Sequence, residues 1–469
     1  MTKLFSNIKE NFGYLFLIPV FVGLLWFQYI PLLIGILVVC ILAIRFGEKI
    51  IVVFTIIAFL TLTSSLSSEM RNIVQIGNLV GLLFLFIKNY GLDYKNYAKP
   101  PKQILALVFS YFFILVFAII CSKYSSIGIP HLFRSISFFV FIYLYFALLS
   151  KYEDVYLFLV SFVLIGLFFG GILFYQFLFT GFSIFSVNDE YLVQLKAFYV
   201  HKNTMGSFFT IAIVFSFMLL NYLKDKKTKY AVLLILILFI VGLIITNSRA
   251  SIIALLISVG FILYYINRKA ILYGIIAVLS LIPLVFIESI NSLISLYLRL
   301  DSIAAGRDKI YDVIFATLPH IWLFGAGPGA AKFYMFDYYP YLMGSPEQLY
   351  WDYYSIKADF GHAHNYYLFY FTDLGILGFV FSIVLQYIFI KMGLRCIKAA
   401  KQVSLKYYYI CLSITAVGVT YFVRGFFEYA GILSYGFVSI DLPFWLIFCL
   451  LAFLYQKLII NKNTSFEKK

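Results

Sequence analysis

Apolar runs of helical length follow one another along most of the chain, with only short polar breaks between them. An α-helix needs about 20 predominantly apolar residues to span a bilayer. The chain is 63% apolar and 12% charged, whereas soluble domains are roughly a quarter charged. The sequence therefore predicts an all-α polytopic membrane protein and excludes a soluble one. The predicted spans lie near 13–28, 30–44, 50–63, 73–87, 104–121, 136–150, 155–178, 207–223, 230–247, 251–266, 271–287, 366–390, 407–423 and 442–460.

The number and grouping of the spans follow from the polar breaks. The first two runs form one kinked pair if the chain bends around Gln28 and Pro31, so we expect about 12–14 transmembrane helices. The longest polar stretch predicts one large outer loop, which is rich in tyrosine and tryptophan. We expect a single membrane domain with N-terminal transmembrane helices, an outer aromatic-rich loop and C-terminal transmembrane helices. These three parts cover 1–287, 288–365 and 366–469.

Basic residues in the loops predict the orientation of the chain. The segment 391–406 is strongly basic, so the positive-inside rule places it in the cytoplasm. Alternation of the spans then puts both termini inside, and it puts the segment 288–365 and all five histidines outside. The net charge of +15 is divided among short loops, which points to membrane orientation rather than to nucleic acid. The five cysteines are scattered and predict neither a disulfide framework nor a metal site.

The most informative polar cluster opens the run at 366–390. Its sequence is His362-Ala-His364-Asn365, and Gly375-x-x-Gly378 follows inside the same run. Imidazole titrates near neutral pH, so a histidine at the edge of a span can take a proton from a hydroxyl or contact a phosphate oxygen. An interfacial histidine can equally be structural, as can the tyrosines and tryptophans of 288–365, which favour headgroup depth.

Three further clusters lie on the predicted outer side. They are His201-Lys202-Asn203, Thr246-Asn247-Ser248-Arg249, and Gly306-Arg307 with the downstream Trp322 and Gly325-Ala-Gly327-Pro-Gly329. The glycine-rich stretch is not a Walker loop, because no Gly-Lys-Ser/Thr follows it. An arginine near helix ends suits a diphosphate ligand, although each of these arginines could instead extend to lipid head groups.

These four clusters resemble the signature of the bacterial O-antigen ligase and O-antigen (exopolysaccharide) polymerase family. The resemblance covers about 200 to 380 and implies a GT-C-like glycosyltransferase architecture. It implies transfer of a glycan from undecaprenyl pyrophosphate to an acceptor hydroxyl in O-antigen, capsule or exopolysaccharide biosynthesis. His364 would be the base or hydroxyl aligner, and Arg249 and Arg307 would stabilise the diphosphate. The residues expected to bind substrate are Arg424, Lys202, Asn203, His362, Asn365, Trp322, Gly375 and Gly378.

The resemblance also implies partners and a location. We expect a glycan or lipid-A-core acceptor, a chain-length regulator protein as a further partner, and an active site on the outer face of the bacterial cytoplasmic membrane. No cofactor is expected, because no Asp-x-Asp motif occurs; the pair Asp189-Glu190 is the alternative metal site. The His-Lys-Asn element favours a polymerase over a ligase. The alternative function is a lipid-linked oligosaccharide flippase or another polytopic transporter, although nearly charge-free spans disfavour it.

Overall fold

The computed structural model describes residues 97–152, 155–179, 202–223, 225–281, 307–338 and 363–460, with scattered positions between 75 and 91. Every regular element in this part of the chain is helical. The predicted spans at 13–28, 30–44 and 50–63 lie outside the described residues, so the total of about 12–14 stays a prediction. The described helices are α1 (Lys102–Cys121), α2 (Ser125–Tyr152), α3 (Val155–Phe179), α4 (Lys202–Tyr222), α5 (Lys226–Ile245), α6 (Arg249–Ile266), α7 (Arg268–Leu281), α8 (Arg307–Ile321), α9 (Ala331–Tyr338), α10 (Tyr366–Val403), α11 (Leu405–Arg424) and α12 (Val438–Tyr455).

Membrane insertion is the first property that these helices support. Seven of the described helices are long and apolar enough to cross a membrane, which confirms an all-α polytopic membrane protein. Two boundaries differ from the sequence prediction. Helix α2 begins at Ser125 rather than near 136, and α10 continues to Val403 through the basic segment predicted as a loop. Lysine and arginine are good helix formers, so α10 ends only where the hydroxyl of Ser404 caps the first turn of α11.

The described residues divide into two compact units, and α2 contributes its second half to the first of them. In this first unit α3, α4 and α5 pack against one another. Glycines let the helices approach closely, as small residues do in membrane bundles. A Cβ atom on Gly242 would lie 2.9 Å from the ring of Phe209, and one on Gly166 would lie 2.7 Å from Ala212.

The second unit contains α1, the first half of α2, and α6 to α12. Its central helix is α10, which packs against α1, α8, α11 and α12. Helices α6 and α11 run antiparallel along each other. Ser258 is hydrogen bonded to Thr420 at 2.6 Å, and the hydroxyl of Tyr408 donates to the carbonyl of Tyr265 at 3.0 Å. This pairing fixes which ends of the two helices are neighbours.

Helix α10 breaks at Gly375, where φ is 67° and ψ is −161°. The break removes the helical bond from Ile376 N–H to Thr372 C=O and leaves both groups without their usual partner. The turn 322–327 supplies replacements. Ala326 N–H donates to Thr372 C=O, Gly327 N–H donates to Asp373 C=O, and Ile376 N–H donates to Trp322 C=O, at 2.8 to 2.9 Å. The break therefore stays hydrogen bonded inside a unit where unpaired backbone groups would each cost several kcal/mol.

Glycine is required where the turn meets the break. Gly325 and Gly375 both have positive φ, and a Cβ atom on Gly325 would overlap the backbone carbonyl of Asp373. Gly378 is required for a related reason, because a Cβ atom there would lie 2.6 Å from the carbonyl oxygen of Tyr370. The Gly-x-x-Gly element thus shapes the backbone of the broken helix.

We expect Gly325→Ala to lower the free energy of unfolding by about 2–5 kcal/mol, because the methyl group adds both a left-handed backbone penalty and a backbone overlap. The matched control is Gly260→Ala in α6, where nothing lies within 4 Å of the added Cβ. Alanine there should be neutral or stabilise the helix by up to about 1 kcal/mol. Thermal unfolding of the purified proteins measures both effects. Equal stability of the two variants would contradict the close approach of Gly325 to the backbone of Asp373 at the break in α10.

Candidate functional site

His364 and Asn365 stand immediately before the first turn of α10. His364 has a positive φ of 45°, which histidine adopts more readily than most residues. The side-chain oxygen of Asn365 caps the helix by accepting from the N–H groups of Tyr367 and Leu368, both at 3.0 Å. Capping of this kind sets the direction in which α10 begins. The cap holds the imidazole at the end of the helix, half-buried.

The end of α11 holds this motif in place. Asn365 Nδ2 donates to the carbonyl of Phe426 at 3.1 Å, and the N–H of Tyr366 donates to the carbonyl of Gly425 at 2.7 Å. These two bonds bring the His364-Asn365 pair beside Arg424, the last residue of α11. Arg424 is only 5% exposed, and the nearby Glu428 attracts its positive charge. The structure therefore brings together two predicted site elements that are 60 residues apart in sequence (424 minus 364).

Arg249 lies at the same end of the second unit. It is the first residue of α6, nine residues before Ser258, whereas Arg424 follows Thr420 by four. With a rise of about 1.5 Å per residue, the start of α6 at Arg249 lies about 13 Å beyond the Ser258–Thr420 bond along the helix axis. The end of α11 at Arg424 lies about 6 Å beyond the same bond. Since the helices run antiparallel, both arginines lie beyond that bond in the same direction. Arg307 is the first residue of α8, which packs against α10.

Asp373 lies two residues before the α10 kink at Gly375 and is fully buried. Its carboxylate accepts from Gly329 N–H at 2.9 Å, Ala331 N–H at 3.1 Å and the hydroxyl of Tyr435 at 2.7 Å. An acid inside an apolar run predicts either a break in its helix or a buried partner for an arginine. The structure shows the break, at Gly375, and the carboxylate is bound by two N–H groups and a hydroxyl. The N–H groups of Gly329 and of Ala331, the first residue of α9, are bound to Asp373, so these two donors are not available to an anion.

Two tyrosines of the loop 425–437 lie near the residues described above: Tyr429 is beside His364, and Tyr435 is bound to Asp373. Burial raises the pKa of Tyr429 to about 12, and burial, together with the neighbouring carboxylate of Asp373, raises the pKa of Tyr435 well above its usual range. Both phenols therefore keep their protons at neutral pH, and Tyr435 donates its proton in the hydrogen bond to Asp373. The ring of Tyr429 lies 6.4 Å from that of His364 in an edge-to-face arrangement. Among the groups at the start of α10, the imidazole is the one suited to accept a proton near neutral pH.

The remaining predicted site residues are distributed as follows. The side chain of Trp322 is 52% exposed, while its carbonyl bonds to the break. Gly375 and Gly378 form the backbone of the broken helix. Lys202 and Asn203 begin α4 in the first unit. His362 lies outside the described residues, and so do His201, Asp189 and Glu190. The roles of all these residues stay predictions.

Sequence reasoning missed two residues at the turn. Tyr435 donates to Asp373 from a position with φ of 56°, and the hydroxyl of Ser122 donates to the carbonyl of Ala326. Neither residue belongs to a recognisable motif. The sequence signal for Tyr435 is weak: it stands between polar and glycine residues in a loop, which is where a left-handed tyrosine is tolerated. The signal for Asp373 was stronger, because an acid within a span marks a functional or structural site.

Comparison with known proteins supports the family resemblance. Residues 233–383 match the family model described as O-antigen ligase. The matched range includes Arg249, Arg307, the glycine-rich turn, His364 and the break in α10. Arg424 and the Lys202-Asn203 pair lie outside it. No curated protein matches the chain.

We expect Asp373→Asn to lower the free energy of unfolding by about 2–3 kcal/mol, because an amide cannot accept from every donor that faces the carboxylate. Tyr435→Phe removes one hydrogen bond and should cost about 1 kcal/mol. Thermal unfolding in detergent measures both. The control is Asp225→Asn, an exposed cap of α5 at which asparagine serves equally well. An Asp373→Asn protein as stable as this control would contradict the assigned contacts.

Proposed function

Because residues 233–383 carry an O-antigen ligase domain, we propose that the protein transfers a glycan from undecaprenyl pyrophosphate to an acceptor hydroxyl during cell-surface polysaccharide assembly. The reaction takes place at the outer face of the bacterial cytoplasmic membrane. The observation that carries the proposal is the attachment of the His364-Asn365 pair to the end of α11 beside Arg424. A proton acceptor and a buried cation thus meet at one end of the second unit.

In the proposed reaction the acceptor hydroxyl oxygen bonds to the anomeric carbon of the donor sugar. The bond from that carbon to the diphosphate oxygen breaks, and the hydroxyl proton passes to His364. The diphosphate departs with the bonding electron pair and gains negative charge. Guanidinium groups stay charged and bind phosphate oxygens in pairs, so arginines stabilise this leaving group strongly where water is scarce. Arg249, Arg307 and Arg424 take this role without a metal.

The acceptor determines whether the product is a ligated or a polymerised glycan. The matched family is described by its ligase activity, whereas the His201-Lys202-Asn203 element favours the growing chain as acceptor. The two activities are distinguished by incubating purified protein with a lipid-linked single-repeat donor in excess chelator and analysing the glycan products. A polymerase gives a ladder of longer glycans on the carrier, and a ligase gives product only after a lipid-A-core acceptor is added. Activity that depends on an added divalent cation would overturn the arginine mechanism.

Variants can separate the role proposed for His364 from the role proposed for the arginines. We expect Arg249→Lys and Arg307→Lys to cut transfer by about 30- to 1000-fold, roughly 2–4 kcal/mol, because lysine keeps the charge and loses the planar fork. His364→Asn should abolish transfer with near-normal donor binding, since asparagine tolerates a positive φ but cannot accept the proton. His362→Ala should be milder.

The matched control for the arginine variants is Arg268→Lys at the start of α7, where the guanidinium lies over the exposed ring of Tyr264 at 4.5 Å. Its transfer rate should equal that of the wild type at equal membrane abundance. Normal transfer by His364→Asn together with complete loss in His362→Ala would move the catalytic assignment two residues upstream.

The orientation is tested by cysteine labelling. In a protein with its other cysteines replaced, the exposed native Cys121 at the end of α1 should react with a membrane-impermeant maleimide applied to intact cells. A single cysteine introduced as Gln402→Cys, at the exposed end of α10, should react only after lysis. The reverse pattern would place the proposed active site in the cytoplasm and refute it.

A further inference from the structure

Helix α2 carries an arginine inside an apolar span. Arg134 follows the first residue of α2, Ser125, by nine positions, which is about 13 Å along the helix axis. Within the segment Ser125–Ser150, an 18-residue window has a mean hydropathy of 2.0. An ionisable side chain at such a position is costly in a membrane and is usually retained for a function. Neither the proposed reaction nor the family signature uses this residue.

The guanidinium of Arg134 lies over the face of an aromatic ring. Its Cζ lies 3.9 Å from the centroid of Phe437. The preceding Gly436 has φ of +75°, and a Cβ atom there would lie 3.0 Å from the carbonyl oxygen of Arg134. The loop 425–437 therefore contacts α2 directly through its backbone, and this close approach fixes the stacking geometry. A stacked guanidinium presents a rigid fork of N–H donors.

The positive charge of Arg134 is not neutralised by a hydrogen-bonded acid. Among the residues that the structure describes, the buried Nη1 atom has no hydrogen-bond partner. Asp441 attracts the guanidinium, but no hydrogen bond joins the two groups: Asp441 Oδ2 accepts from the N–H groups of Ser434 and Gly436, at 2.6 and 3.1 Å, and Asp441 Oδ1 has no partner among the described residues. A buried N–H group of a cation without an acceptor costs free energy. The site therefore favours an anionic acceptor from outside the described chain.

Further basic groups lie beside this arginine. His131 is three residues earlier and so shares the same face of α2. Its ring lies 4.9 Å from that of Tyr435, and its Nδ1 atom likewise has no partner within the described part of the protein. Arg134 and the exposed Lys332 of α9 both act electrostatically on His131. Three basic side chains thus converge where the turn, α2 and the loop 425–437 meet.

We propose that Arg134 and His131 form a binding site for the phosphate group of a lipid. A phosphate offers several charged oxygens, which suits a guanidinium fork and a neighbouring imidazole. The ligand has an apolar tail because Arg134 and His131 belong to a helix long and apolar enough to cross a membrane. Phe133 and Ile136 of α2 are exposed beside it, Phe133 to 64%. A polyprenyl phosphate and a glycerophospholipid head group present the same chemistry here, and the arginines assigned to the diphosphate belong to other helices.

The test measures lipids retained by the purified full-length protein in detergent, by native mass spectrometry. The probes are undecaprenyl phosphate, phosphatidylglycerol and, as an uncharged control, diacylglycerol. We expect wild type to bind a phosphate-bearing probe and not diacylglycerol. Arg134→Gln should lose one bound lipid per protein and weaken its affinity on the order of tenfold or more. Phe437→Leu should weaken it less, because the charge remains and only the stacking is lost.

The matched control is Arg268→Gln, which also removes a guanidinium stacked on a tyrosine, but at an exposed helix start. It should retain the full number of lipids. Loss confined to undecaprenyl phosphate assigns the site to a lipid-linked substrate, and loss of phosphatidylglycerol assigns it to a head group; both support the proposal. Unchanged binding by folded Arg134→Gln overturns it. If that variant does not fold, unchanged binding in both Arg134→Lys and Phe437→Leu overturns it instead.

Discussion

A helix that breaks inside a membrane-embedded unit must find new partners for its freed backbone groups, since neither lipid nor water satisfies them there. In this protein the freed groups of Thr372, Asp373 and Ile376 are bonded to the turn 322–327. The rest of the second unit depends on that exchange. The turn connects α8 to α9, so its position also determines where these two helices lie. The carboxylate of Asp373 accepts from the N–H groups of Gly329 and Ala331 and from the hydroxyl of Tyr435.

The same contacts connect the turn to the candidate active site. Tyr435 belongs to the loop 425–437, which begins where α11 ends at Arg424. The first residues of that loop accept hydrogen bonds from Asn365 and Tyr366 at the start of α10. The proposed base therefore stands just before α10, and the break in this helix follows eleven residues later. Apolar packing holds α10 against α11, and the hydrogen bonds add the directional preference that fixes the start of α10 relative to Arg424.

The glycine-rich turn illustrates why a motif needs its structural context. Glycines before a short helix often form an anion site, because the helix N-terminus offers free N–H groups. Here those groups bind the protein's own carboxylate, Asp373. These two N–H groups are therefore not available to a negative ligand, whereas Arg249, Arg307 and Arg424 stand at helix ends. The lone arginine within the span of α2 extends this reasoning from the active site to a lipid phosphate.

The sequence by itself determined the membrane class, the approximate limits of most described spans and the His364-Asn365 motif, because hydropathy and helix capping are local properties. It also marked Gly375 and Asp373 as unusual within a span. Only the tertiary structure decided that the turn 322–327 pairs with 372–376, that Arg424 lies beside Asn365, and that Tyr435 and Ser122 bind the turn. Backbone hydrogen bonds between distant segments leave no side-chain pattern beyond the glycines that permit close approach, so a single sequence cannot reveal which segments meet.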